Sequence, residues 1–404
     1  MTLLPSPKQG QANAVAFVDV HLRHVSRGEV EASLKFSGGQ SNADAALADF
    51  DVSGYAASRN EVYPQPLRGA SALSPFIRHG LLPLRRVWEH VSDGPTLDVE
   101  KFRDELMWQE FARHWYARLG VRTRAGIEQE LKGGAAGDWD RSMACMELTV
   151  DELEEDGWLV NQTRKWLASE WSVRRGFRWQ DGEDYFFRHL LDGSRAANRL
   201  GWQLAIGVGP SKPFGFTRWQ VEKRAKSLCA SCDLVHACPI EEWAPDPDYS
   251  PIAEPVDRRS HTPESDYGPS EPAITGAPDA VWLTAESLGL ADPALVAHPH
   301  LPAVFVFDEL LLAKLQLSPK RLIFLTETLA EIAATRPLEV HLGSPALVLD
   351  GRSLAATFAP VPGFRTRTRR IKPAALHPWP WLVSPGDSNV TAFRDWKKSV
   401  TLPR

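Results

Sequence analysis

Residues 157–207 constrain the fold of this chain more than any other stretch. The segment opens with GWLVNQTRKWLASEW and closes with RWQDGEDYFFRHLLDGSRAANRLGWQLAIG. Tryptophans, isolated polar side chains and Arg or Asp residues recur at helical spacing on faces that are otherwise apolar. A buried aromatic cofactor with a few fixed polar contacts needs this combination. A Trp-rich helical core gives the same pattern, so the residues alone leave both interpretations open.

Composition limits the class of protein. The chain has 404 residues, which is more than one core usually serves, so we expect two domains. It has no run of about 18 apolar residues and no secretory signal pattern, which predicts a cytoplasmic protein that does not span a membrane. The net charge of -5 argues against a nucleic-acid binder. Residues 161–227, however, hold thirteen Lys or Arg against six Asp or Glu, which indicates either a phosphate-binding surface or a solvated helical face.

Apolar spacing predicts helices from about residue 42 to 228. Pro83 divides the first strong one, 74–91, and 102–119 is a clear amphipathic helix that places Glu105 and Trp108 on one face. Eight prolines lie between Pro245 and Pro278, which is typical of a linker.

After the prolines the pattern changes. Short apolar runs at 281–284, 303–307 and 338–342, with a helix at 320–335, predict a small α/β domain with a parallel sheet. The predicted fold class is therefore mostly α, with a small C-terminal α/β domain. The expected domains are 1–243 (helical), 244–278 (linker) and 279–404 (α/β).

The chain has only four cysteines, and three of them lie close together in CASCDLVHACP. In a cytoplasmic chain this spacing favours a metal or redox site over a structural disulfide.

Four motifs in the helical region resemble those of the photolyase and cryptochrome flavoproteins. GWLVNQTRKWLAS is similar to the family's G-W-M-x-N-R-x-R segment, and LLDGSRAANRLGWQ to its D-x-D-x-A-x-N-x-x-x-W-Q segment. SALSPFIRHGLL resembles S-x-L-S-P-x-x-x-x-G-x-L, and DELMWQEFARH resembles the E-L-x-W-R-E-F helix. The resemblance covers residues 40–225 and implies a helical, FAD-binding, photolyase-type domain.

The resemblance also implies roles for individual residues. The implied contacts to the FAD phosphates or ribityl chain are Tyr55, Ser71, Leu73 and Ser74. Arg164 and Asp192 are implied to lie against the isoalloxazine ring and Asn198 to face its N5, and Gly193 and Ser194 are also implied to bind the cofactor. Those implied for a cavity that holds a flipped pyrimidine dimer are Glu105, Trp108 and Asn161, and those for photoreduction of the flavin are Trp202 followed by Trp179. Extrusion of the dimer is required because an electron donor cannot reach a base inside the stack.

The cysteines resemble those of an iron–sulfur branch of the same family. That branch has one cysteine inside the helical domain and three near its C-terminal end, as Cys145 and then Cys229, Cys232 and Cys238 are arranged here. The resemblance implies a [4Fe–4S] cluster. Zinc stays open, because four thiolates suit it equally well.

Several positions depart from the family pattern. Ser194 replaces the second acid of the D-x-D pair, Leu204 replaces an aromatic residue, Gln109 an arginine and Lys165 a methionine. Val160 and Asn161 stand where (6-4) photolyases carry histidines, so a cyclobutane dimer is the expected lesion. The resemblance implies light-driven repair of such dimers in DNA. The alternatives are a cryptochrome-like photoreceptor without repair activity and a flavin and iron–sulfur protein with a dark redox or nucleic-acid role.

The order of the domains also differs from that of the family. VWLTAESLGLADPALV and AVFVFDELLL resemble the opening strands of the α/β antenna domain, yet they follow the helical region. This order favours a circularly permuted photolyase with a trimmed antenna domain, with an unrelated C-terminal α/β domain as the alternative. The sequence names no antenna chromophore and no oligomeric state.

Overall fold

The computed structural model describes residues 1–209, 212–252, 267–386 and 389–403. Its first part is helical. The helices of this part are α1 (Gln11–His21), α2 (Gln40–Ala48), α3 (Tyr55–Ser58), α4 (Ser74–Arg78), α5 (Leu84–His90), α6 (Thr96–Leu119), α7 (Ala144–Asp151), α8 (Asn161–Ala168), α9 (Trp179–His189), α10 (Arg195–Ile206) and α11 (Arg218–Ala230). A π-helical turn continues α7 and another continues α8, at Glu152–Asp156 and Ser169–Arg174.

Local sequence signals explain where these helices begin and end. Pro83 lies between α4 and α5, as its missing N–H requires. The hydroxyl of Ser194 accepts the N–H of Ala196 and so caps the start of α10. Gly207 ends α10 in the left-handed conformation, with φ of 72°. Thr217 opens α11 with a capping box.

The second part is an α/β unit. The strands of the described chain are β1 (Thr2–Leu4), β2 (Gln129–Leu131), β3 (Tyr249–Pro251), β4 (Ala273–Ile274), β5 (Ala280–Leu283), β6 (Ala303–Asp308), β7 (Leu338–Gly343), β8 (Leu354–Thr357) and β9 (Ala375–His377). The remaining helices are α12 (Pro293–Ala297), α13 (Glu309–Leu315), α14 (Pro319–Thr335), α15 (Pro345–Val348), α16 (Phe364–Ile371) and α17 (Phe393–Ser399).

Seven strands form one sheet in the order β1-β7-β6-β5-β8-β9-β4, and β2 pairs with β3 separately. The five central strands are parallel, with registers such as Val281 opposite Ala303 in β5 and β6. The edge strands β1 and β4 are antiparallel. Among the parallel strands, the chain therefore begins at the central β5, builds one side with β6 and β7 and then crosses to the other with β8 and β9, as doubly wound sheets do.

The expected fold class is confirmed, because a mostly helical region precedes a small unit with a parallel sheet. Two boundaries differ from the expectation. Residues 2–4 add β1 to the sheet, although they were expected in the helical domain, and β4 pairs with β9 in the same sheet, although it was expected in the linker. Both cover an outer edge of the sheet, and edge strands of two or three residues are too short to give a periodic signal. Residues 253–266 of the expected linker lie outside the described residues. No helix in the described ranges is long and apolar enough to cross a membrane.

One hydrophobic core joins the two parts. Phe324 of α14 packs against Phe76 of α4 and against the ring of His79, at centroid distances of 5.9 Å and 5.3 Å. His79 is fully buried between the carbonyls of Ala285 and Leu191, with ring nitrogens 2.6 Å and 3.2 Å from these oxygens. The α/β unit is thus packed directly behind the helical residues expected to bind a cofactor.

Candidate functional site

Helix α10 lies at the centre of the candidate site, since it packs against α6, α8 and α9. Its Asn198 is 5% exposed, and the amide nitrogen Nδ2 has no hydrogen-bond partner among the described residues. A buried amide N–H without a partner costs about 1–3 kcal/mol. An acceptor supplied by a bound molecule removes this cost, which fits the role expected for Asn198 toward a flavin.

A bidentate ion pair joins α8 to the loop before α10. Nη2 of Arg164 lies 2.7 Å from Oδ2 of Asp192, and Nη1 lies 3.2 Å from Oδ1. Arg164 also donates from Nε to the carbonyl of Leu159 at 3.1 Å. The Asp192 side chain is 7% exposed, so the pair fixes a nearly buried carboxylate in one orientation.

Gly193, the next residue, is held from behind. Its carbonyl accepts from Nε of Arg78 at 2.9 Å and from Nη2 of Arg321 at 3.2 Å. Arg321 belongs to α14 and also donates to the carbonyl of Phe187. Burial lowers the pKa of Arg321 to about 9. Sequence reasoning missed this arginine because a charged residue in an apolar helix carries no signal for its partner.

The residues expected at the FAD phosphates lie around the start of α4. Leu73 is fully buried, and its N–H lies 3.5 Å from the hydroxyl of Ser71. The hydroxyl of Ser74 accepts from Nε1 of Trp158 at 2.9 Å. Tyr55 lies on α3, edge-on to Phe102 at 4.9 Å, and burial raises its pKa. The structure thus fixes Ser74 and Tyr55 through neighbouring elements.

The tryptophans expected to carry charge are both buried. Trp202 is 1% exposed, as is Trp179. Trp202 packs edge-on to Phe186 at 5.1 Å and directly against Gly182. Because Trp179, Gly182 and Phe186 are three and four residues apart, they share one face of α9. Trp179 is fixed separately, by a hydrogen bond from Nε1 to Glu130 at 3.0 Å.

The residues expected around a flipped base have different surroundings in the structure. Trp108 lines a cavity of about 250 Å³ between α6 and α10, together with Leu204. Glu105 does not line it. Its carboxylate is instead held by Lys101 at 3.0 Å and by Arg59 at 3.4 Å. Asn161 is exposed at the start of α8.

Glu105 also affects a third cation. Burial lowers the pKa of Lys165, and the charge of Glu105 opposes that shift. The Glu105 carboxylate is thus already occupied by its contacts with Arg59 and Lys101.

All four cysteines line one small cavity. Cys145 is on α7 and Cys229 on α11, while the other two follow α11. The N–H of Ala144 lies 3.5 Å from Sγ of Cys232, and burial raises the pKa of the Cys145 thiol, with the other thiols adding to the effect. Within the described ranges, no three His, Cys, Asp or Glu side chains are arranged to hold a metal ion. The cysteines converge, but neither a cluster nor zinc is established, and both stay predictions.

Comparison with known proteins shows what the central part of this site is similar to. Residues 144–233 match the family model described as the FAD binding domain of DNA photolyase. This match supports the photolyase and cryptochrome family. The segment contains α8, α9 and α10, so the photolyase-like region is the one that holds Arg164, Asp192 and Asn198.

Individual photolyases are similar over part of the chain. A deoxyribodipyrimidine photo-lyase from Alkalihalophilus pseudofirmus is 31% identical over 171 residues, which cover 39% of this chain and 35% of the relative. One from Synechococcus sp. is 26% identical over 221 residues, covering 50% and 43%. The chain therefore spans less than half the length of these curated relatives.

Two solved structures are also similar. A bacterial class III photolyase from Agrobacterium tumefaciens gives a TM-score of 0.38 at 23% identity, covering 46% of this chain and 43% of that one. A cryptochrome from Synechocystis gives 0.44 at 20% identity, covering 50% and 46%.

Proposed function

We propose that this protein is a light-dependent flavoenzyme that repairs cyclobutane pyrimidine dimers in DNA. The observation that carries the proposal is the buried, unpartnered Nδ2 of Asn198 beside the fixed pair of Arg164 and Asp192, within the segment that matches a photolyase FAD-binding domain. These residues fit FAD, because they offer a neutral donor without adding charge and a paired charge that tolerates burial. FAD, when bound and reduced, supplies under light the electron that opens the cyclobutane ring and takes it back afterwards.

The protein's own residues would bind the FAD and orient the extruded base. Ser71, Leu73 and Ser74 would hold the phosphates at the start of α4, and Tyr55 the ribityl side. Trp108 would offer a stacking surface for the extruded base, worth about 1–3 kcal/mol per base in other systems. The cavity beside Trp108 is mostly apolar, so it would also keep water from the opened ring.

The decisive experiment is repair under blue light. An oligonucleotide that contains one thymine dimer is incubated with the purified protein and a reductant, and the absorbance of the restored bases is followed. We expect restoration in the light and none in the dark, with Trp108→Leu slower than the wild type at unchanged flavin content. Folded protein without flavin would contradict the proposal.

A second candidate is a cryptochrome-like photoreceptor without repair activity. Three observations favour it: Glu105 is held by two cations, Leu204 offers no aromatic ring, and one face of Trp108 is already covered by Phe393 at 3.8 Å. The same assay separates the two candidates. Flavin that is photoreduced without restoring any dimer would favour the photoreceptor.

We propose a [4Fe–4S] cluster at the four cysteines. Their common cavity supports it. Zinc needs all four sulfurs about 2.3 Å from one point, whereas a cluster is held from separate corners. Iron and sulfide analysis tests this. We expect about four irons per chain, lost in Cys145→Ser, and a single zinc per chain would refute the cluster.

We also propose that the α/β unit is a trimmed antenna domain in permuted order. The support is that β5 is the first strand of residues 279–404 and lies at the centre of the parallel strands. Its neighbours on one side, β6 and β7, follow it in the sequence before β8 and β9 on the other side. Superposition of residues 279–404 on an antenna domain tests this. A different order of the parallel strands would refute it. No antenna chromophore is assigned.

A further inference from the structure

The C-terminal segment Thr391–Arg394 forms one wall of the cavity beside Trp108. The opposite walls come from α6 and α10, so residues far apart in the sequence enclose one space. The lining residues are Trp108, Phe111, Trp115, Ile127, Leu200, Gln203, Leu204, Gly209, Thr391, Ala392, Phe393 and Arg394. Its volume of about 250 Å³ and its aromatic lining suit a flat ring more than a water-filled channel.

The segment is fixed on α6 and is not a loose tail. Trp396 is fully buried and packs against Phe111 at 5.4 Å. Lys397 forms an ion pair with Asp104 at 2.6 Å. The position of the wall is thus set by apolar burial on one side of α17 and by charge on the other.

Phe393 determines how Trp108 is presented. The two rings are stacked at 3.8 Å with an interplanar angle of 16°. The stack covers one face of the indole and leaves only the other for a ligand. An indole held between a ring and a cavity is a preorganised stacking platform, because its rotamer is fixed before any base arrives.

Arg394 is exposed at the same wall. Within the described residues no ion pair neutralises it, in contrast with Lys397 three positions later. A guanidinium beside an aromatic cavity of this size matches a nucleotide, whose base enters the cavity while its phosphate remains outside.

We infer that Arg394 binds a backbone phosphate next to the extruded base, and that Phe393 is the positioning residue that orients Trp108 to stack on that base. This inference rests on the proposed function. It adds a substrate contact from the far end of the chain to the residues of the helical region.

The test for Arg394 is the salt dependence of DNA binding. Affinity for a dimer-containing duplex is measured by fluorescence anisotropy across a salt series. Loss of one phosphate contact lowers the slope of log K against log salt by about 0.9, which is roughly an eightfold loss of affinity near 0.1 M salt. We expect this for Arg394→Ala. The matched control is Lys398→Ala, which removes a positive charge from the same helix but not from the cavity wall, and should leave the slope unchanged.

The test for Phe393 is whether the protein discriminates between dimer-containing and undamaged duplex. Phe393→Ala frees Trp108 and should reduce the preference for dimer-containing over undamaged duplex, while Phe393→Tyr, which keeps the stack, should retain it. A purely structural role would lower both affinities equally. Flavin content and thermal unfolding show that each variant is folded.

The outcomes distinguish a failure of this inference from a failure of the proposed repair function. Wild-type protein that binds both duplexes equally would overturn the proposed repair function. If the wild type prefers the dimer but Arg394→Ala keeps its affinity and slope, or Lys398→Ala loses as much, the phosphate contact is wrong.

Discussion

Gly182 is the residue that allows Trp202 to pack against α9. A Cβ atom at this position would lie 2.2 Å from Cη2 of Trp202 and 2.9 Å from both Cζ2 and Cζ3. Ordinary carbon contacts are about 3.5–4 Å. The Gly182→Ala substitution therefore forces the indole to retreat by roughly 1 Å or more to reach such contacts, and Trp202 is only 1% exposed.

The magnitude follows from two opposing effects. Overpacking of a tight core costs about 1–3 kcal/mol. Alanine gains about 0.5–1 kcal/mol over glycine inside a helix. We expect a net loss of about 1–2 kcal/mol in the free energy of unfolding for Gly182→Ala.

Gly201 supplies the matched control. It lies inside α10, is exposed, and has no atom within 4 Å of its added Cβ. Gly201→Ala should therefore stabilise the protein by about 0.5–1 kcal/mol. The two variants have the same chemical change in the same kind of element, so their difference isolates the contact with Trp202.

The assay is urea unfolding of both variants, with near-ultraviolet circular dichroism to report the tryptophan environment. If Gly182→Ala is as stable as Gly201→Ala, the close packing of Trp202 is wrong. A second readout concerns the proposed function: photoreduction of bound flavin should slow in Gly182→Ala and be unchanged in Gly201→Ala.

Two further predictions concern buried charge around the same site. Arg164→Met should lower the free energy of unfolding by about 3 kcal/mol and release flavin, because it leaves the Asp192 carboxylate uncompensated. Asp192→Asn should lower the free energy of unfolding by less, and equal losses for the two variants would contradict this reasoning. Burial lowers the pKa of His79 to about 3, so the folded protein keeps it neutral. Because the unfolded chain binds a proton below about pH 6.5, stability should fall with decreasing pH by up to about 1.4 kcal/mol per unit. His79→Gln should show a shallower fall, whereas identical pH profiles would refute the assignment of a buried, neutral His79. Burial raises the pKa of Asp292 to about 7, which changes stability with pH in the opposite direction. Asp292 is present in both proteins, so it does not affect the comparison.

Strongly periodic elements could be predicted from the sequence. The amphipathic helix expected at 102–119 is the C-terminal three quarters of α6, and the helix expected at 320–335 is α14. The apolar runs that become β5, β6 and β7 were also predicted. These elements are long, or strongly apolar with clear ends, so local pattern and final structure agree.

Short strands could not be predicted. β8 reads LAAT and β9 reads ALH. Alanine has little preference for strands, and runs of three or four residues give no measurable period. These strands exist because β8 covers the free edge of β5 and β9 covers that of β8, which is a property of the folded sheet and not of their own residues.

The candidate site could likewise be predicted only in part. Arg164 and Asp192 were expected together and form the bidentate pair, because each belongs to a motif of a short, regular segment. Glu105 and Trp108 share a helix face, as expected, but the structure gives them different surroundings. Which face of a helix meets which neighbour depends on tertiary packing. The stack of Phe393 on Trp108 therefore had no signal in the sequence.

The α/β unit acts on the helical site through Gly193. Arg321 reaches from α14 to its carbonyl, and Arg78, which also donates there, is paired with Glu286 of the α/β unit at 2.7 Å. A Cβ at Gly193 would lie 2.7 Å from the carbonyl oxygen of Leu190 and 2.8 Å from Nη1 of Arg321, so only glycine permits this approach. Since Asp192 is the neighbouring residue, any shift of α14 is transmitted to the carboxylate that orients Arg164. Separating the helical part from the α/β unit would therefore loosen the loop on which the proposed flavin contacts depend. This coupling explains why the two parts share one core better than the buried apolar area alone does.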